Sequence, residues 1–131
     1  MKRTVLALIL AALSHCMWAQ QWVKFGENSV GVRYIDPATI RKDWSLRRWS
    51  LRRVWQVFNW NERLANGEMS QRFLVEYDCR EEQYRYLDWD AMTEAMGKGD
   101  PIGPSPSRIA SWGHIAPGTI DSAILKFVCS Q

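Results

Sequence analysis

Histidine is almost missing from this 131-residue chain, which has only two, His15 and His114. A zinc centre built on imidazoles therefore lacks ligands. A Ser–His–Asp triad would have to use His114, beside a Pro–Gly turn, where a surface or packing role explains the residue more simply. A phosphate-binding glycine loop and a Gly-x-Ser-x-Gly nucleophile elbow are absent too. Paired carboxylates occur at Glu81–Glu82 and Asp88–Asp90, but they sit in a turn or at a strand end, where solvated charge accounts for them. Nothing calls for a cofactor or a metal ion, and the chain reads as a non-enzyme.

Long apolar runs are scarce as well. The one at residues 4–13 follows Lys2 and Arg3, the charge and run of a secretory signal. It is too short to span a ~30 Å hydrocarbon core, which needs about 20 residues. No later segment is long enough, so no transmembrane helix is expected. Ala19 suits the last position of the signal. Residues 1–19 are therefore expected to be a signal peptide and residues 20–131 a single domain. The alternative is a lipoprotein box, Leu13-Ser14-His15-Cys16, with Cys16 lipidated; His15 departs from that pattern, and cleavage near Ala19 is favoured.

Cysteine is also sparse, with three in the chain. Cys16 leaves with the signal or carries the lipid, so Cys79 and Cys129 remain. In an oxidising compartment such a pair in a small domain reads as a disulfide. Lys2 and Arg3 leave with the signal, so 15 basic residues face 14 acidic ones and the net charge falls from +3 to +1. The basicity of the whole chain is thus a poor argument for a nucleic-acid partner.

The remaining chain is rich in strand patterns. Residues 22–25 and 30–35 read as a hairpin, with a turn at residues 26–29 and Val30, Val32 and Tyr34 on one face. Asp36 is placed to cap a short helical turn that begins at Pro37. Trp44-Ser45-Leu46-Arg47-Arg48 is repeated at once as Trp49-Ser50-Leu51-Arg52-Arg53. A five-residue insertion puts equivalent residues on opposite faces of a strand, so one copy must bulge, extend a loop or lie at a strand end. Residues 54–60 are β-prone, and Asn66-Gly67 marks a turn in the loop after them. Residues 69–79 alternate, with Phe73, Val75, Tyr77 and Cys79 on the core face and Ser70, Arg72, Leu74, Glu76 and Asp78 on the other. Residues 83–89 return as a further strand after a turn at 80–82. The Gly/Pro-punctuated stretch 97–107 reads as a mobile loop, and residues 112–117 as a last extended piece. Thr119 caps a helix whose stripe is Ile120, Ile124, Phe127 and Val128. The expected fold is α+β: an antiparallel β-sheet of about five to six strands, with a C-terminal α-helix packed on one face and tethered by Cys79–Cys129.

One stretch is dense in charge and indole. Arg41, Lys42, Arg47, Arg48, Arg52 and Arg53 are opposed only by Asp43, with Trp44, Trp49 and Trp55 interleaved. A solvated strand face, with its tryptophans in the core or in a homodimer contact, explains this simply. The functional reading is a surface for an acidic polymer, with Arg41, Lys42, Trp44, Arg47, Arg48, Trp49, Arg52 and Arg53 as candidate ligand-binding residues. Nucleic acid is the least suitable ligand for an exported protein.

Together, Trp22-Val23-Lys24, Tyr34-Ile35-Asp36-Pro37, Arg53-Val54-Trp55, Glu76-Tyr77-Asp78-Cys79, Tyr84-Arg85-Tyr86-Leu87, Pro117-Gly118-Thr119 and Ile124-Leu125-Lys126-Phe127-Val128-Cys129 resemble the surface-adhesin protein E family of bacterial exported proteins. The two cysteine motifs, in this order, are the most specific part. The tandem Trp-Ser-Leu-Arg-Arg copy departs from the family pattern. The resemblance implies a Gram-negative source, an antiparallel sheet with a C-terminal helix tethered to it by the disulfide, and adhesion to host matrix proteins. With the export signal, the chain is expected to be a non-enzymatic binding protein in the periplasm or on the outer-membrane surface. Its expected partner is a host extracellular-matrix protein or an acidic glycan. A periplasmic structural or assembly protein without a host ligand is the alternative.

Overall fold

The computed structural model describes residues 20–42, 49–104 and 110–131. Expectations placed on residues 1–19, on Trp44, Arg47 and Arg48, and on residues 105–107 lie outside the described residues.

Strands β1 (Val23–Glu27) and β2 (Gly31–Ile35) form the expected antiparallel hairpin. The Asn28 side-chain oxygen makes the turn by accepting from the backbone N–H groups of Val30 and Gly31, each at 3.0 Å. β1 runs on through Gly26 and Glu27, which the sequence places in the turn, because a register shift between Lys24 and Gly26 absorbs one residue. A Cβ at Gly26 would lie 2.8 Å from Ile120 Cγ1, so glycine here lets the helix start close on the strand. Asp36 caps the short 3₁₀ turn Pro37–Thr39 as expected, its carboxylate accepting from the Ala38 N–H at 3.1 Å.

Beyond that turn, β3 (Arg41–Lys42) pairs with the same long strand as β2, namely β4 (Leu51–Trp60). The second Trp-Ser-Leu-Arg-Arg copy is divided between a turn at Trp49–Ser50 and the start of β4. The second copy therefore lies at a strand end. β5 (Ser70–Asp78) and β6 (Gln83–Met92) continue the sheet. β7 (Pro101–Ile102) and β8 (Gly113–His114) add short pieces to β6. The described sheet has eight strands in the path β1-β2-β4-β5-β6-β7, with β3 on β4 and β8 on β6. It exceeds the expected five to six because three members are two-residue pairings, too short to carry a periodicity.

Helix α1 (Ile120–Cys129) starts at Thr119, whose hydroxyl accepts from the Ser122 N–H at 3.2 Å. Ile124, Leu125 and Val128 bury against Ile35, Val54, Phe58, Phe73, Val75 and Tyr77 on one sheet face. Phe127 meets Phe25 edge-on at 5.2 Å between ring centroids. The Cys79–Cys129 disulfide is present, with Cα atoms 5.7 Å apart, and it joins the end of α1 to the end of β5. Among the described residues no helix is long and apolar enough to cross a membrane.

Three features add to what the alternation alone gives. The core side of β2 carries Gly31, Arg33 and Ile35, while Val30 is exposed. Arg33 can face the core because its guanidinium lies over the rings of Phe73 (4.8 Å) and Phe58 (5.6 Å) and donates to Gln56 Oε1 at 2.9 Å. Next, Ser70 and Glu76, on the face of β5 without the helix, are both fully buried. Finally, residues 93–102 are pinned. Thr93 and Asp100 bond through backbone and side chain at 3.0 and 2.8 Å, and Ser70 Oγ donates to the Glu94 carbonyl at 2.6 Å. This segment covers Ser70 and Val57, and so part of the face without the helix.

Candidate functional site

Strand register decides what the basic stretch becomes. β3 is set against β4 with Arg41 opposite Arg53 and Lys42 opposite Arg52. Directly opposed residues share a face and successive residues alternate. Arg41 and Arg53 therefore lie on the face without the helix, and Lys42 and Arg52 on the face with it. Among the described residues, the candidate surface is a corner whose cations are divided between two faces.

On the face without the helix the register continues. Arg53 is opposite Glu76, and Glu76 is opposite Arg85. A single transverse row, Arg41–Arg53–Glu76–Arg85, thus crosses β3, β4, β5 and β6. The Glu76 side chain has no exposed surface. Arg53 Nε donates to its Oε2 at 2.7 Å, and Arg85 donates to its Oε1 through Nε at 2.8 Å and through Nη2. A buried carboxylate is tolerated only when it is paired and hydrogen-bonded in this way. The Arg53 and Arg85 side chains as a whole remain 42% and 22% exposed, so Arg53 reaches the surface more than Arg85 does. Trp112 lies beside it, its ring centroid 4.5 Å from the Arg85 guanidinium carbon. Further along the same face Arg72 packs over Trp55 at 5.5 Å and pairs with Asp90 at 3.0 Å.

The other candidate residues have simpler roles. The Arg41 side chain is exposed and folds back onto the Ala38 and Ile40 carbonyls at 2.8 and 2.9 Å. Arg52 donates to the Trp49 and Leu51 carbonyls at 2.8 and 3.0 Å. Trp49 is 63% exposed, the most exposed large apolar residue among those described. Lys42 is exposed at the strand edge. Arg85 and Trp112 were not visible as members of this corner, because they stand far away in sequence. The signal that could have found Arg85 is Glu76, an acid inside an apolar strand that needs cations opposite it on both sides.

A second feature lies on the helix-bearing face. Arg33, Gln71, Phe73, Tyr86, Asp88 and Trp89 line a cavity of about 270 Å³. Burial pushes the Tyr86 hydroxyl above its ordinary pKa, with Arg33 opposing the shift. Deeper in, burial raises the Tyr77 hydroxyl further, against the opposing effect of the Gln56 amide that donates to it at 2.7 Å. Both phenols therefore stay neutral at physiological pH. The Arg33 guanidinium is already engaged by Gln56 and, at 3.5 Å, by Asp121.

Comparison with known proteins bears on the family and the fold. The family model described as Surface-adhesin protein E matches residues 22–130. The structure of Haemophilus influenzae protein E superposes with a TM-score of 0.67 at 17% identity, covering 83% of each chain. A second crystal form of that protein gives 0.63 at 18% identity, covering 82% of this chain and 96% of the other. Protein E from non-typeable Haemophilus influenzae gives 0.60 at 18% identity, covering 86% of each. No curated protein matches. At these identities the structural likeness speaks for the fold.

Proposed function

The chain belongs to the surface-adhesin protein E family, and from that premise we propose that it is an exported, non-enzymatic binding protein of the cell envelope that acts as an adhesin for host matrix proteins or polyanions. The match over residues 22–130 carries this reading. The basic corner supports it, since Arg41, Lys42, Arg52, Arg53 and Trp49 stand at one end of the sheet with exposed or half-exposed side chains. In this reading residues 1–19 direct export and are removed, Cys16 leaves with them, and residues 20–131 form the working domain. An oxidising destination suits the Cys79–Cys129 bond.

An adhesin must stand on the outer surface. Protease added to intact cells is expected to digest the protein, while a periplasmic marker in the same cells survives. Full protection in intact cells, with digestion only after the outer membrane is permeabilised, would point instead to a periplasmic structural or assembly role.

A further inference from the structure

We propose that the row Arg41–Arg53–Glu76–Arg85 is a binding strip for the sulfate esters of a glycan laid across the sheet, with Glu76 as the positioning residue that holds two of its guanidiniums. The inference rests on the binding reading above and names the ligand chemistry of its corner. Glu76 takes Arg53 through Nε alone, and among the described residues no hydrogen bond is made by the two terminal nitrogens of Arg53. Arg85 is taken through Nε and Nη2, and among the described residues its Nη1 makes no hydrogen bond. Arg41 spends Nη1 on two backbone carbonyls, and among the described residues its Nη2 makes no hydrogen bond. Each guanidinium is thus fixed at its inner edge and presents N–H donors at its outer edge, in the planar arrangement that matches two oxygens of one oxyanion.

Spacing and neighbours select a chain-like ligand. Adjacent strands lie about 4.8 Å apart, so Arg41 and Arg53 are neighbours and Arg85 stands about 10 Å beyond Arg53. Three cations in line on an open sheet face suit a polymer that carries anions at intervals, not one small anion in a cup. The Trp112 ring beside Arg85 adds an apolar platform for a sugar face. Glu76 lowers the net charge of the row yet is fully buried, so a ligand meets the guanidiniums and not the carboxylate.

The test is calorimetric titration of the purified protein with a size-defined heparin fragment at two salt concentrations, alongside unsulfated hyaluronan and purified lipopolysaccharide. The fragment is expected to bind and hyaluronan is not. Binding should weaken as salt rises, because exposed charges are screened within about 10 Å at 0.1 M. Arg53→Lys and Arg85→Lys keep the charge but lose the fork, and each is expected to weaken binding about tenfold. Arg41→Ala, whose side chain pairs with no acid among the described residues, leaves the fold intact and is expected to weaken binding about threefold. Lys126→Ala, on the exposed side of α1, is expected to change nothing. The inference is overturned if the fragment does not bind, if both lysine variants bind as wild type does, or if lipopolysaccharide binds and the fragment does not. A protein that is digested on intact cells but binds no heparin fragment loses this inference alone.

Discussion

Replacing Cys79 and Cys129 together by serine is expected to cost the protein about 4 kcal/mol, which is the loop-closure entropy of the 50-residue separation that the disulfide spans. Against a total of about 5–15 kcal/mol for a domain, that is a large share. It should lower Tm by about 15 °C. The loss should begin at α1. Ten residues make a marginal helix in water, and α1 is held by Ile124, Leu125 and Val128 on the sheet, by Phe127 on Phe25, and by the bond at its last residue. Thermal unfolding of the double variant, followed by circular dichroism beside the oxidised wild type, measures the effect. A Tm within two or three degrees of wild type (~2–3 °C) would mean that packing alone retains the helix.

Glu76→Ala is expected to be the second most damaging change, at about 2–3 kcal/mol, somewhat under the ~3–5 kcal/mol that removing one partner from a fully buried ion pair costs. The carboxylate has no exposed surface and accepts from two arginines, so its removal strands both guanidiniums over a gap. Their partial exposure lets them turn towards water, which is why the lower range is expected. Glu76→Gln keeps the volume and one acceptor and should cost less than the alanine. Urea unfolding of the two variants and wild type gives the ordering. An alanine variant as stable as wild type would show that the Arg53–Glu76–Arg85 group contributes nothing net to the fold.

Local signals made much of this architecture legible. The hairpin at β1 and β2, the Asp36 and Thr119 caps, the alternation that puts Phe73, Val75 and Tyr77 in the core, and the pairing of the cysteines all follow from neighbouring residues or from simple counting. What was hidden depends on register. Glu76 lies on the polar side of its strand, and its burial becomes intelligible only when Arg53 and Arg85 are set opposite it. Arg41 and Lys42 look like one basic patch in sequence, yet the period of two sends them to opposite faces. Nothing local to Arg33 announces that two phenylalanine rings from other strands cover it. The offset between Leu74 and Val75, where β6 passes from Asp88 to Tyr86, inserts Leu87 as a bulge that no local pattern announces.

The register also sets which parts of the sheet are covered. The helix covers one face, and the 93–102 segment covers one end of the other. Among the described residues, Arg41 and Trp49 are exposed at the other end and Arg53 is half-exposed. The cavity beside Arg33 and Trp89 lies on the helix-bearing face and shares no residue with the row.

The most direct test of adhesin function through this corner is attachment of intact cells to immobilised extracellular matrix, comparing wild type with an Arg41→Ala, Lys42→Ala variant at equal surface level. Both side chains are exposed, so the fold should be kept. The account predicts that wild-type cells attach and that cells with the variant attach at least about threefold less. Equal attachment by the two, or by cells lacking the protein altogether, would contradict it.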